Sequence, residues 1–239
     1  MALDEALMER ARATGEAVLR VYSWAAPTLS FGRNQTARGA YSGRLAAERG
    51  VSVVRRPTGG RAILHHREVT YSVTAPVTAE PLRASYARIN RLLLEALSRL
   101  GVAAVLASPS GRAPLPGVAP CFETPTDGEV VVAGRKLVGS AQWRDGGALL
   151  QHGSILVDDD QALLAALATG PLPAVPPPAT LREAMGRAPA SEEVAGALFE
   201  AVRLREDPGA APLEVDELLA DAAARACARY ADTAWTWRR

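Results

Sequence analysis

Residues 128–159, GEVVVAGRKLVGSAQWRDGGALLQHGSILVDD, constrain the fold more than any other stretch of the chain. Runs of β-branched and apolar residues are broken there at Ala133-Gly134 and at Asp145-Gly146-Gly147, where the turn chemistry suits reversals between neighbouring strands. The stretch reads as a β-meander. The rest of the chain must therefore cover a sheet.

The remaining segments are punctuated in the same way. MALDEALMERARAT carries Leu3, Ala6, Leu7 and Ala11 on one side of a helix that stops near Gly15. AVLRVYSW and TLSFG read as short strands on either side of a proline turn, and GRLAAERG as a short helix closed by Gly50. VSVVRR is a strand entering the loop PTGG. RAILHHREVTYSVTAP returns as a strand, so the glycine loop is expected to tip a hairpin. LRASYARINRLLLEALSRLG repeats Leu92, Leu93, Ala96, Leu97 and Leu100 at helical spacing, and VAAVLA follows as a strand. Residues 107–120 form a proline- and glycine-rich loop that leads to Cys121, and loops of that length inside a domain are often functional. ATGPLPAVPPPATL reads as a stiff linker before helices near 191–204 and 214–232. The expected fold is α+β, a mixed β-sheet with flanking helices. Residues 1–168 would form the main domain, 169–180 a proline-rich linker and 181–239 a small helical C-terminal part.

Charge and cysteine usage exclude several functions. With 27 basic against 26 acidic residues, the formal net charge of +1 argues against a broad nucleic-acid surface, which needs a cation excess. Apolar runs fall short of the roughly 20 residues that span a bilayer, so no membrane partner is expected. The start of the chain lacks the pattern of a secretory signal, and the two cysteines, Cys121 and Cys227, stand far apart. A cytoplasmic protein with reduced thiols is expected. Three histidines and two cysteines show no ligand spacing, which leaves no metal site to expect.

Of the 27 basic residues all but Lys136 are arginine. Lysine differs in offering a compact ammonium that can give up its proton. A free thiol is only about 3% thiolate at pH 7, and an ammonium near Cys121 would raise that fraction, polarise a thioester carbonyl and take a proton from an attacking amine. Cys121 lies between Pro120 and Phe122 at the end of the long loop, not in an apolar periodic run. Cys227, in a helical alanine-rich stretch, fits a small buried hydrophobe. In RRPTGGRAILHH the adjacent glycines would let backbone N–H groups approach an anionic ligand between flanking arginines, although Thr-Gly-Gly also suits an ordinary hairpin tip. His152, ending an apolar strand, reads first as a hydrogen-bonded structural residue, and His65 similarly.

Taken in order, MALDEAL (1–7), RRPTGGRAILH (55–65), CFETP (121–125), GRKLVGSAQ (134–142) and LQHGSIL (150–156) resemble the biotin/lipoate protein ligase superfamily, with a fainter echo in YADTAWTWRR. The combination is most similar to the cysteine-dependent octanoyltransferases and lipoyl amidotransferases. The resemblance implies Cys121 as the acyl-accepting nucleophile and Lys136 as the residue that contacts the acyl carbonyl. It implies a pocket lined by Arg56, Thr58, Gly59, Gly60 and His65, facing Gly139 and Ser140, with His152 as a further binding residue. The implied reaction carries an octanoyl group from acyl carrier protein through a cysteine thioester to a lysine of a lipoyl domain, such as the glycine-cleavage H protein. No cofactor is required, because the acyl group arrives as a thioester. The alternatives are an ATP-dependent lipoate–protein ligase, an amidotransferase between lipoyl domains, or a non-catalytic acyl- or adenylate-binding module. Two departures stand out: His66 replaces the aspartate usual after the loop histidine, and the short strand usual before MALDEAL is not in the sequence.

Overall fold

The computed structural model describes residues 1–108, 122 and 127–239. In chain order the elements are α1 (Ala2–Thr14), β1 (Val18–Tyr22), β2 (Thr28–Phe31), α2 (Gly43–Glu48), β3 (Ser52–Arg55), β4 (Ile63–His65), β5 (Glu68–Pro76) and α3 (Leu82–Arg99). Then come β6 (Val105–Leu106), β7 (Val130–Val132), β8 (Arg135–Lys136), β9 (Val138–Asp145), β10 (Ala148–Leu156), α4 (Leu163–Leu167), α5 (Leu181–Met185), α6 (Ser191–Arg205), α7 (Glu217–Ala231) and α8 (Thr233–Thr236). This is the expected mixed α+β architecture.

The meander turns where its glycines are. Ala133 and Gly134 adopt φ of 48° and 74°, and Gly146 and Gly147 adopt 52° and 89°, left-handed values that favour glycine. One antiparallel sheet has the order β1-β5-β10-β9, and a smaller one the order β6-β7-β8. Only Leu137 separates β8 from β9, so the chain passes from the small sheet to the large one within a single residue.

Strands β5 and β10 pair over nine residues, with Tyr71 opposite Gly153 and Ser72 opposite His152. Because side chains alternate, each strand shows two faces. Val69, Tyr71, Leu149 and Ile155 belong to the main core with Leu93 and Leu97 of α3 and Val194 and Leu198 of α6. On the other side Ala148 and Leu150 meet Met8 and Ala11 of α1, and Leu7 of α1 meets Leu219 of α7. At about 25 cal/mol per Å² of apolar surface removed from water, these contacts dominate the stability of the fold. Among the described residues no helix is long and apolar enough to cross a membrane.

Three expectations are corrected. β3 and β4 do not form a hairpin: β2 lies between them, parallel to β3 and antiparallel to β4. The intervening loop is too wide for a hairpin tip because it wraps the Arg56 side chain, whose Nε donates to Gly59 O (3.1 Å) and whose Nη2 donates to Arg61 O (2.7 Å). Nor is residues 61–76 one strand. It breaks at His66-Arg67, and β4 and β5 join different sheets. Cys227 is helical but exposed, since the buried residues of α7 are Leu219 and Ala222 and position 227 falls off that stripe.

Candidate active site

The site lies on the polar face of β5 and β10. Glu68, Thr70, Ser72 and Thr74 alternate along β5, and His152 and Ser154 lie opposite on β10, all buried. Buried polar groups need partners, and all of these side chains but Thr74, whose hydroxyl has none, make at least one directed bond. Thr70 Oγ1 and Ser154 Oγ donate to Glu68 Oε1 at 2.5 and 2.7 Å. His65 Nδ1 lies 2.9 Å from the same oxygen. A carboxylate only accepts, so Nδ1 donates to it, and Nε2 lies 2.7 Å from Ser30 Oγ. Arg56 Nη1 donates to that hydroxyl at 3.0 Å, and the Trp24 ring stacks on His65 with centroids 4.3 Å apart. Both nitrogens of His65 are thus engaged, and its flat face is covered.

Beside it, Thr58 Oγ1 and His152 Nε2 are 2.6 Å apart. Burial, then the positive charge of Arg56 among its neighbours, pushes the His152 imidazole down to about 3, against the opposing pull of Asp4. His152 is therefore neutral at physiological pH. Asp4, fully buried, accepts from Ser72 Oγ and from Arg20 Nη1, each at 2.8 Å.

Arg56, Gly60, His65, Gly139, Ser140 and His152 line one pocket of about 430 Å³, part of it open to solvent, whose other walls include Tyr22, Trp24 and Ile63. Thr58 joins it through His152. Gly59 contributes the carbonyl that holds Arg56. Ser140 reaches the pocket, but its hydroxyl lies 2.7 Å from Tyr71 Oη. Lys136 does not line this pocket. It is buried one residue before the sheet crossing, and its Nζ donates to Glu129 Oε1 at 2.7 Å. The same Nζ lies 5.4 Å from the Phe122 ring centroid, and Phe122 packs with Ile63 of the pocket wall and Leu156. Lys136 and the pocket are thus linked through Phe122. Cys121 lies outside the described residues. His66 turns away to pair with Asp160 at 3.1 Å. Among the described residues no cluster of His, Cys, Asp or Glu could hold a metal.

Glu68, Ser30, Trp24, Asp4 and Glu129 were not foreseen. Asp4 had a signal: it sits on the buried side of α1 with Leu7, Met8 and Ala11, three to seven residues on.

The lipoyl protein ligase A/B catalytic domain family matches residues 1–203. The chain belongs to that family. Among curated relatives of this lipoyl ligase-type domain, octanoyltransferase LipM of Kyrpidia tusciae is 40% identical over all of this chain and 94% of its own length. Octanoyltransferase LipM of Carboxydothermus hydrogenoformans is 43% identical over 67% of this chain and 61% of its own. Among solved structures, the lipoate protein ligase-like protein of T. acidophilum with bound lipoic acid superimposes with a TM-score of 0.78 at 20% identity, covering 99% of this chain and 92% of that one. At that identity the likeness is one of fold.

Proposed function

We propose that the chain transfers an octanoyl group to a lysine of a lipoyl-domain protein through a thioester on Cys121. The likeness to octanoyltransferase LipM along the full chain carries this reading. In the first step the Cys121 thiolate attacks the carbonyl of an octanoyl thioester, and the donor leaves as a thiolate that takes up a proton. In the second, the amine of the acceptor lysine attacks acyl-Cys121. An amide forms, the C–S bond breaks, and the proton lost by the amine returns to the sulfur. Amide formation from a thioester is downhill, so ATP has no part in either step.

Lys136 is assigned to the acyl carbonyl and to the proton relay, with Glu129 holding its ammonium in place. Arg56, Thr58, Gly59, Gly60, His65, Gly139, Ser140 and His152 shape the acyl pocket. A neutral His152 suits an uncharged octanoyl chain, because its imidazole then brings no charge to be desolvated beside the chain. Acyl carrier protein is the proposed donor, and the glycine-cleavage H protein the proposed acceptor among lipoyl domains.

Incubation with octanoyl carrier protein, without ATP, should leave one octanoyl group on Cys121 that hydroxylamine removes, as read by mass spectrometry of the peptides. An unmodified Cys121 in an enzyme that still octanoylates the acceptor would overturn the mechanism. Transfer from free octanoate plus ATP, with the carrier thioester inert, would make the chain a ligase instead.

A further inference from the structure

Arg55, the first arginine of RRPTGG, has no part in the chemistry above, yet it is fully buried. Its partners are backbone carbonyls from distant segments: Nε donates to Thr236 O at 2.9 Å, and Nη1 donates to Gly32 O at 2.6 Å and to Gln35 O at 2.8 Å. Burial and then the guanidiniums of Arg238, Arg239 and Arg56 lower its pKa to about 10. A buried cation among like charges is expensive, so what it holds together matters.

On one side it holds residues 233–239. Trp235 Nε1 donates to Arg55 O at 2.9 Å, Arg238 Nη2 donates to Arg33 O at 2.5 Å, and the amides of Ala37 and Arg38 donate to Arg239 O at 2.9 and 2.8 Å. Trp237 meets the Phe31 ring edge-on at 5.2 Å. On the other side lies the glycine loop of the pocket. Gly32 approaches Gly60 so closely that a Cβ on Gly32 would collide with the Gly60 carbonyl. Arg33 N donates to Thr58 O at 2.7 Å, and Thr58 in turn meets His152.

We infer that Arg55 is a positioning residue that couples the C-terminal segment 233–239 to the glycine loop 58–60, so that docking of the segment sets the geometry of the pocket wall. Only arginine serves here. Its rigid fork places donors on separate nitrogens, so that Nε reaches Thr236 while Nη1 reaches Gly32 and Gln35, whereas lysine gathers its donors on one atom.

The test is amide hydrogen exchange on the full chain carrying Arg55→Lys, which keeps the charge and removes the fork. Loss of a charge-assisted hydrogen bond of this kind is expected to raise exchange at least about tenfold at residues 233–239 and 32–35, where the Arg33 amide, bonded to Thr58 O, reports on the glycine loop. Strands β5 and β10 should exchange as in the parent. Two results would overturn the coupling: residues 233–239 loosen while the Arg33 amide bonded to Thr58 O stays protected, or β5 and β10 loosen to the same degree as Arg33. Should Arg55→Lys fail to fold, Trp235→Phe removes only the indole donor to Arg55 O and should give the same pattern at smaller amplitude. The activity arm rests on the octanoyl-transfer reading: turnover should fall about tenfold with Cys121 alkylation unchanged. The exchange arm needs no turnover, so it can fail or succeed separately from that reading.

Discussion

Strands β5 and β10 have two different interiors on the two sides of one pair of backbones. Toward α3 they present Val69, Tyr71, Leu149 and Ile155 to an apolar core. Toward the pocket they present Glu68, Thr70, Ser72, His152 and Ser154, buried as completely and held by directed bonds. The apolar side depends on volume and tolerates exchange among hydrophobes of similar size. On the polar side each group is another's partner, so removing one leaves a second unsatisfied. The first side secures stability, and the second fixes the position of groups around the pocket.

The largest effect on transfer should come at Lys136, which is joined to the pocket side through Phe122. Both Lys136→Ala and Lys136→Arg are expected to lower octanoyl transfer at least roughly a hundredfold, because alanine offers no amine and guanidinium does not give up its proton. Near-parent turnover of Lys136→Arg, measured with the acceptor lipoyl domain, would mean that charge alone suffices. Leu93→Ala on the apolar side should do the opposite. Chemical denaturation should show a loss of about 2–5 kcal/mol, while turnover per folded molecule stays at the parent level.

His152 gives a subtler contrast. Its folded pKa near 3 lies below the ordinary 6.5, so between those values the unfolded chain binds the extra proton. Its contribution to stability is fully present above about pH 6.5 and is lost as the pH falls toward 3, with a slope of up to about 1.4 kcal/mol per pH unit. His152→Gln should flatten that part of the stability–pH curve, and an unchanged slope would assign the acid sensitivity to other groups. The smallest effect is expected at exposed Cys227, where Cys227→Ser should change stability by less than about 0.5 kcal/mol and leave transfer intact.

The same contrast explains what could be read in advance. Helix α3 was legible because Leu92, Leu93, Ala96 and Leu97 repeat at its period and are the residues it buries. The turns of the meander were legible because glycine marks left-handed backbone. The placement of β2 between β3 and β4 was not, since Thr28–Phe31 is buried along its whole length and offers no alternation to betray its neighbours. In the site, Arg56, Gly60, His65 and His152 stood out through motif and residue type. Glu68, Thr70 and Ser72 did not, because a polar series between Val69, Tyr71 and Val73 reads as a strand with one face in water. Only the packing of α1, β4 and the glycine loop over that face makes it interior. Glu129 was missed for a related reason: nothing local says that a glutamate before Val130 will meet Lys136 from the neighbouring strand.

The long reach of Arg55 has a consequence for how the molecule comes off the ribosome. The carbonyl of Thr236 that receives its Nε proton is translated 181 residues later. At roughly 5–20 residues per second the guanidinium waits on the order of ten to forty seconds for that acceptor. Late in that interval the four-stranded sheet can become complete, since β10 ends at Leu156, before Thr236 is translated. The nascent chain can thus form its sheet before its pocket wall is fastened, and a ribosome stalled before residue 236 would carry a chain in which the Arg55 contact to Thr236 is still unmade.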